Sequence, residues 1–152
     1  MTCAAQPGVW LDVPFVPQEK NGCGAASIAM VMRYWQAPAD AVEIQRALYS
    51  REARGIFASA MERYLREHGF RAFAVRGQWD DLKQHLEKGR PLIVALKPGR
   101  GDPHYVVVAG LESGTVLKND PAERKLLRQH RTDFEKQWKA AGNWMLLAVP
   151  SR

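Results

Sequence analysis

The chain has 152 residues, a length that fits one domain with a substantial buried core. Its composition is 46% apolar and 25% charged, which excludes a disordered protein, and no apolar run approaches the roughly 20 residues of a membrane-spanning helix. The net charge is +6, but the basic residues are scattered and not interleaved with aromatic side chains, so we expect no nucleic-acid partner and no integral membrane segment.

The first elements in chain order form an extended N-terminal stretch. Residues 1–17 carry three prolines, and residues 1–12 are expected to be an extended segment of a single domain spanning 1–152. No charged and then apolar segment opens the chain, so no signal peptide is predicted. If Met1 and Thr2 were foreign residues, Cys3 could be the acylated cysteine of a mature lipoprotein. Localisation therefore stays open between the cytoplasm and export, and so does the oligomeric state.

Helices are predicted in the first half of the chain. The stretch from Gly24 to Trp35 is apolar almost all round, which indicates a helix buried at the centre of the protein. Pro38 suits the first turn of a second helix that runs to about Leu48. The apolar positions between Phe57 and Leu65 follow helical spacing, and Gly69 supplies the stop.

Strands dominate the second half. Apolar or alternating runs predict five of them, at Phe70 to Val75, Pro91 to Leu96, Tyr105 to Leu111, Thr115 to Leu117 and Trp144 to Val149. A short helix between Trp79 and Leu86 ends at Gly89, and Thr132 to Glu135 reads as the capping box of a last helix. The order predicts an α+β fold with an N-terminal helical half packed on a C-terminal antiparallel sheet.

Cys23 lies where a polar loop turns into the buried helix. The first helical amides and the helix dipole favour a thiolate there, and the small neighbours Gly22 and Gly24 leave space for a substrate backbone. The alternatives are a buried structural cysteine and a disulfide with Cys3, which the even cysteine count permits. We interpret Cys23 as a nucleophile.

Two later residues complete the set. His104 opens the most apolar strand and is the candidate base for Cys23, since the other three histidines lie in amphipathic or basic segments. Asp120 ends the next strand and is the candidate that orients His104, although its sequence also favours a turn. Asn119 is its rival because neighbours on a strand face opposite ways, and Asp102 also stays open.

Gln18 is the candidate donor for an oxyanion. Acyl transfer needs donors aimed at the developing negative charge, and the Cys23 amide supplies only one. No closely spaced cysteine or histidine pair exists, so we expect no metal and no cofactor.

The motifs around these residues resemble those of the C39-like peptidases, papain-fold cysteine proteases of bacteria. The similar segments are Val13 to Gln18 with Cys23 to Ala26, His104 to Gly110, and Asn119 to Pro121. The resemblance covers nearly the whole chain and is to the stand-alone members. It implies a papain-like fold, with Cys23 as nucleophile, His104 as base, Asp120 as orienting acid and Gln18 in the oxyanion hole.

Some members of this family are fused to exporters and cut leader peptides after a double glycine. Here Gln18 lies five residues before the cysteine rather than six, and Ala25 stands where proline is common, so double-glycine specificity is not assigned.

The sequence therefore predicts a cysteine peptidase that acts on a peptide or protein substrate. A transglutaminase-like acyl transferase would use the same triad, and a catalytically silent peptide-binding domain is the other alternative. Arg51, Arg54 and Arg100 lie in loops expected to form the groove, which favours an acidic peptide.

Overall fold

The structure, a computed structural model, describes residues 8–151. The helices of this part are α1 (Cys23–Tyr34), α2 (Ala41–Leu48), α3 (Ala58–Glu67), α4 (Trp79–Glu87) and α5 (Arg131–Ala140). The strands are β1 (Val9–Trp10), β2 (Phe70–Arg76), β3 (Leu92–Leu96), β4 (His104–Glu112), β5 (Thr115–Asn119), β6 (Leu127–His130) and β7 (Trp144–Pro150). None of these helices is long and apolar enough to cross a bilayer.

The strands form one antiparallel sheet in the order β2-β7-β3-β4-β5-β6, and β1 pairs with β4 outside this path. Three helices precede nearly all of the sheet in the chain. The predicted α+β class and antiparallel sheet are confirmed.

Helices cover both faces of the sheet. The helices α1, α2 and α3 share one apolar cluster with Ile93, Val107 and Leu146, whereas residues of α4 and α5 share a second cluster with Val94 and Val106. The sequence predicts only the N-terminal helices as a layer against the sheet, whereas the structure has a second layer formed by α4 and α5. The second layer is required because β3 and the centre of β4 are buried on both faces, and such strands need cover on each side.

Helix α1 is the centre of the first layer. Nine consecutive residues, from Gly24 to Met32, are buried, as the almost wholly apolar sequence predicts. The helix ends at Tyr34, followed by Gln36 with a positive φ of 64°. Burial of these nine residues fixes the direction in which the first residue of the helix, Cys23, enters the site.

Two local expectations differ from the structure. The Thr132 capping box is wrong: the N-cap of α5 lies two residues earlier, at His130, whose ring nitrogen accepts from the Thr132 amide at 3.3 Å. Strand β6 was missed and had been taken as part of a basic connection. Its alternating half-buried and exposed residues form a short edge strand beside β5, where charged residues are normal.

Removal of the Ser27 hydroxyl is expected to change the stability of the protein. This hydroxyl is buried within α1 and has no hydrogen-bond partner among residues 8–151. Since an unpaired buried hydroxyl is destabilising, we expect Ser27→Ala to stabilise the protein by about 1 kcal/mol and to raise Tm by about 2–4 °C. Calorimetry measures this shift. A lower Tm for Ser27→Ala would show that the hydroxyl is satisfied in solution.

Candidate active site

Cys23 is the first residue of α1. Its N-cap, Gly22, offers no side-chain bond to the first turn, so the amides of that turn have no side-chain acceptor from the cap. Cys23 is half-buried and, as the one cysteine among the described residues, is free. Cys3, and with it the disulfide and lipoprotein alternatives, lies outside the described residues.

The turn before Cys23 is tightly built. The Gly22 amide donates to the Glu19 carbonyl at 2.9 Å, and Asn21 adopts a positive φ of 58°. A Cβ at Gly22 would lie 3.0 Å from the Glu19 carbonyl oxygen, so a larger residue would displace the turn. The glycine therefore serves a close backbone approach that presents Cys23 to the groove.

His104 is the first residue of β4 and pairs with Leu96 of β3. Its Nε2 lies 2.7 Å from Asp120 Oδ1, and the side chains are 28% and 6% exposed respectively. Asp120 comes directly after β5, which runs antiparallel beside β4. The pairing of these two strands brings the imidazole and the carboxylate together.

Asn119 faces away from His104. It pairs with Val107, three residues along β4 from His104, and successive side chains alternate between the faces of a sheet. Its Nδ2 donates to the Val13 carbonyl and its Oδ1 accepts from the Leu126 amide, each at 2.9 Å. Asn119 thus joins the N-terminal segment to the loop before β6, while its neighbour contacts the imidazole.

Asp120 combines the turn and the contact that the sequence left as alternatives. Its Oδ1 accepts from the Ala122 amide at 3.0 Å as well as from His104. Burial raises the pKa of Asp120, but the hydrogen bond and charge of His104, the Ala122 amide and the Lys118 charge outweigh it and lower that pKa. Asp120 is therefore an anion at neutral pH.

The surroundings of His104 favour the imidazolium. Burial lowers its pKa, but hydrogen bonds to Asp120 and Cys23, together with their charges, raise the pKa to about 9. Because Asp120 occupies Nε2, Nδ1 is the ring nitrogen left for the sulfur. The arrangement can hold a proton between Cys23 and Asp120 across the neutral range.

Gln18 lies on the same groove. Its backbone amide donates to the Pro121 carbonyl at 2.9 Å, and this bond attaches the loop before Cys23 to the turn after Asp120. Its side-chain Oε1 is buried and has no partner among the described residues. Gln18, Cys23 and His104 line one cavity of about 420 Å³.

The remaining wall of this cavity comes from residues 53–58, the end of the loop closed by the Ser50–Gly55 bridge and the start of α3. Arg54 lines the cavity with a positive φ of 52°, whereas Arg51 and Arg100 are not among its lining residues. Asp102 lines it but is exposed and forms no hydrogen bond to His104. Within residues 8–151, no three histidine, cysteine or acidic side chains converge as metal ligands.

Tyr105 is a neighbour of Cys23 that was not among the predicted site residues. Burial raises the pKa of Tyr105 to about 12, and the Cys23 charge adds to this. Its ring would lie at an ordinary contact distance of 3.5 Å from a Cβ at Gly24, so Tyr105 packs beside the first turn of α1. Strand alternation after His104 was the available indication, since it turns Tyr105 toward α1.

The model of the Peptidase_C39 like family matches residues 10–145. No curated protein matches the sequence.

Solved structures match over nearly the whole chain. A Bacillus anthracis protein assigned as a C39-like peptidase is 18% identical, with a TM-score of 0.74 over 95% of this chain and 98% of its own. A double glycine motif protease from an AMS/PCAT transporter, solved with the leader peptide, is 23% identical, with a TM-score of 0.78 over 93% and 94%. The peptidase domain of Streptococcus ComA, a bi-functional ABC transporter of a quorum-sensing pathway, is 21% identical, with a TM-score of 0.77 over 90% and 97%.

The titration of His104 tests the three-residue contact. We expect its imidazole to titrate near pH 9 in the native protein and at lower pH in both Cys23→Ala and Asp120→Asn, because each variant removes a negative hydrogen-bond partner. NMR of histidine ring carbons measures all four titrations, and His85, whose pKa burial lowers, is the internal reference. An unchanged His104 titration in Cys23→Ala would show that the sulfur does not contact the ring.

The same pair predicts a pH dependence of stability. The folded His104 pKa of about 9 exceeds the unfolded value of about 6.5, so its contribution is complete below pH ~6.5 and is lost as the pH rises through about 9. The pKa of Asp120 is lowered in the folded protein, so its carboxylate contributes stability above the unfolded pKa. This contribution is lost as the pH falls through the folded pKa. Urea unfolding should therefore show the largest loss for His104→Gln near pH 5.5 and a smaller loss at pH 9.5. A larger loss at the higher pH would contradict this linkage.

Proposed function

Because this chain belongs to the Peptidase_C39 like family and is therefore a cysteine-type peptidase, we propose that Cys23 is its nucleophile and that His104, Asp120 and Gln18 support the attack. The observation that carries the proposal is the 2.7 Å bond between His104 and Asp120 beside the cavity that holds Cys23 and Gln18. We propose one peptidase domain over 1–152.

The first half of the reaction makes an acyl-enzyme. The Cys23 thiolate attacks the carbonyl carbon of the scissile peptide, forming a C–S bond and placing the negative charge on the oxygen. As this intermediate collapses, the C–N bond breaks and the His104 Nδ1 proton passes to the leaving amine. Asp120 holds the ring through Nε2 and stabilises its positive charge until the proton leaves.

The second half is hydrolysis of the thioester. His104, now neutral, takes a proton from water while the water oxygen attacks the acyl carbon. The C–S bond then breaks, the product carboxylic acid leaves, and the pair of thiolate and imidazolium is restored. No net change in charge or oxidation state remains on the protein.

Two donors suit the oxyanion. The Cys23 amide lies in the first turn of α1, where amides have no acceptor within the helix. The Gln18 side chain shares the cavity, and its backbone bond to Pro121 holds it beside the turn that carries Asp120. Donors fixed before the reaction stabilise the developing charge without rearranging.

Activity measurements on a peptide library test these roles. We expect wild-type protein to cleave peptides, Cys23→Ala to be inactive, and Gln18→Ala to lower kcat by about 10²–10³, the usual effect of losing one oxyanion donor. Ser27→Ala is the matched control for Cys23→Ala, because it also removes one heavy atom from a residue of α1. Ser27 does not line the cavity, so this variant should keep wild-type activity. Full activity in Cys23→Ala would refute the role of Cys23 as the nucleophile.

The two alternatives give other products. With hydroxylamine present, a transferase would form mainly the hydroxamate, whereas the proposed peptidase forms mainly the carboxylic acid. A binding domain would hold peptide equally in wild type and Cys23→Ala and cleave none. Mass spectrometry of the products separates these outcomes.

A further inference from the structure

A second cavity of about 430 Å³ lies against His104 and Asp120 and is not lined by Cys23 or Gln18. His104 is the residue that it shares with the first cavity. Its walls are apolar at Leu96, Pro98 and Ala122 and polar at Lys118, Gln129 and Gln137. The imidazole thus separates two spaces, one containing the nucleophile and one without it.

Lys118 is the unusual residue of the second cavity. It lies in β5 two residues before Asp120, so the two side chains share a face of the sheet. Lys118 is only 7% exposed, although lysine is rarely buried without a charged partner. Its Nζ donates to Gln129 Oε1 at 2.7 Å, and Gln129 donates onward to Gln137 at 3.1 Å.

The Lys118 ammonium lacks a direct counter-charge. Gln129 is neutral and accepts one of the three available protons, and no carboxylate of residues 8–151 forms an ion pair with Nζ. The nearby carboxylates are Asp120, which is paired with His104, and Glu123, which is exposed on the cavity wall. Burial lowers the pKa of Lys118, and these two charges raise it.

The leaving amine of the proposed reaction must meet His104 Nδ1, so the chain after the cleaved bond begins at that ring. Because His104 is the residue that the two cavities share, a chain that continues past the ring can enter the second cavity. An extended peptide advances about 3.3 Å per residue, and Lys118 and Asp120 are separated along β5 by two such steps. The first or second residue after the cleaved bond can therefore present its side chain to Lys118.

We propose, on the basis of the proposed function, that the second cavity binds the two residues after the cleaved bond and that Lys118 selects an acidic side chain there. A carboxylate supplies both the acceptor and the negative charge that Nζ lacks. Glu123 opposes the same ligand by repulsion. Lys118 is a specificity-determining residue and does not touch the reacting atoms.

The experiment starts from a sequence that the wild-type protein cleaves in a peptide library. Peptides with Glu or the isosteric Gln at each of the two positions after the bond are compared by their kcat/KM ratio. We expect wild type to favour Glu, and Lys118→Met to lower the Glu/Gln ratio by about tenfold, the scale of one charged hydrogen bond. Glu123→Gln should raise the ratio, and Lys118→Arg should retain the preference for Glu.

Lys83→Met is the charge-matched control. Lys83 is exposed on α4 and lines neither cavity, so its loss changes net charge equally and should leave the ratio unaltered. Equal ratios in wild type and Lys118→Met, with both cleaving, overturn the inference. Should Lys118→Met fail to melt cooperatively, Glu123→Gln decides, because an unchanged or lowered ratio there also overturns it. A wild-type protein that cleaves nothing refutes the proposed function itself, and this inference falls with it.

Discussion

The contact between His104 and Asp120 is the interaction on which the site depends. It exists because β4 and β5 pair in a register that places His104 at the start of one strand and Asp120 just beyond the end of the other, on the same face. The buried carboxylate contacts the ring at Nε2, which leaves Nδ1 for Cys23. The same contact raises the pKa of His104. A slip of one residue would turn Asn119 toward the ring and Asp120 away from it, so strand register sets the chemistry.

The rest of the fold brings the sulfur to that ring. Burial of α1 against the sheet fixes the helix, and the tight turn closed by Gly22 brings the chain in from Gln18. Backbone bonds from Gln18 to Pro121 and side-chain bonds from Asn119 to Val13 and Leu126 attach this N-terminal loop to the strand that carries Asp120. The groove is therefore held together at its base by one backbone bond and two bonds of the Asn119 side chain, while a wall of it comes from the loop that ends in residues 53–58.

The sequence could indicate the candidate site residues more completely than the structure that surrounds them. Cys23 at a loop-to-helix junction and His104 at a strand start are local patterns, and the helix order with antiparallel strands followed from periodicity. The choice between Asn119 and Asp120 depends on strand register, which no local pattern gives. Strand β6 was missed because a short charged edge strand carries little periodicity, and Lys118 because a single lysine in an apolar strand gives no indication of what it faces. The wall at 53–58 depends on a loop whose Arg54 takes an unusual backbone conformation.

The most direct test of the account is the rate at which iodoacetamide alkylates Cys23 as a function of pH. The rate is followed by mass spectrometry of the peptide that carries Cys23, so that Cys3 does not contribute. At every pH from about 5 to 8, Cys23 of the wild-type protein should be alkylated at least about tenfold faster than Cys23 of His104→Ala, because the imidazolium stabilises the reactive thiolate. Equal rates for the two proteins at each pH would contradict the ion pair.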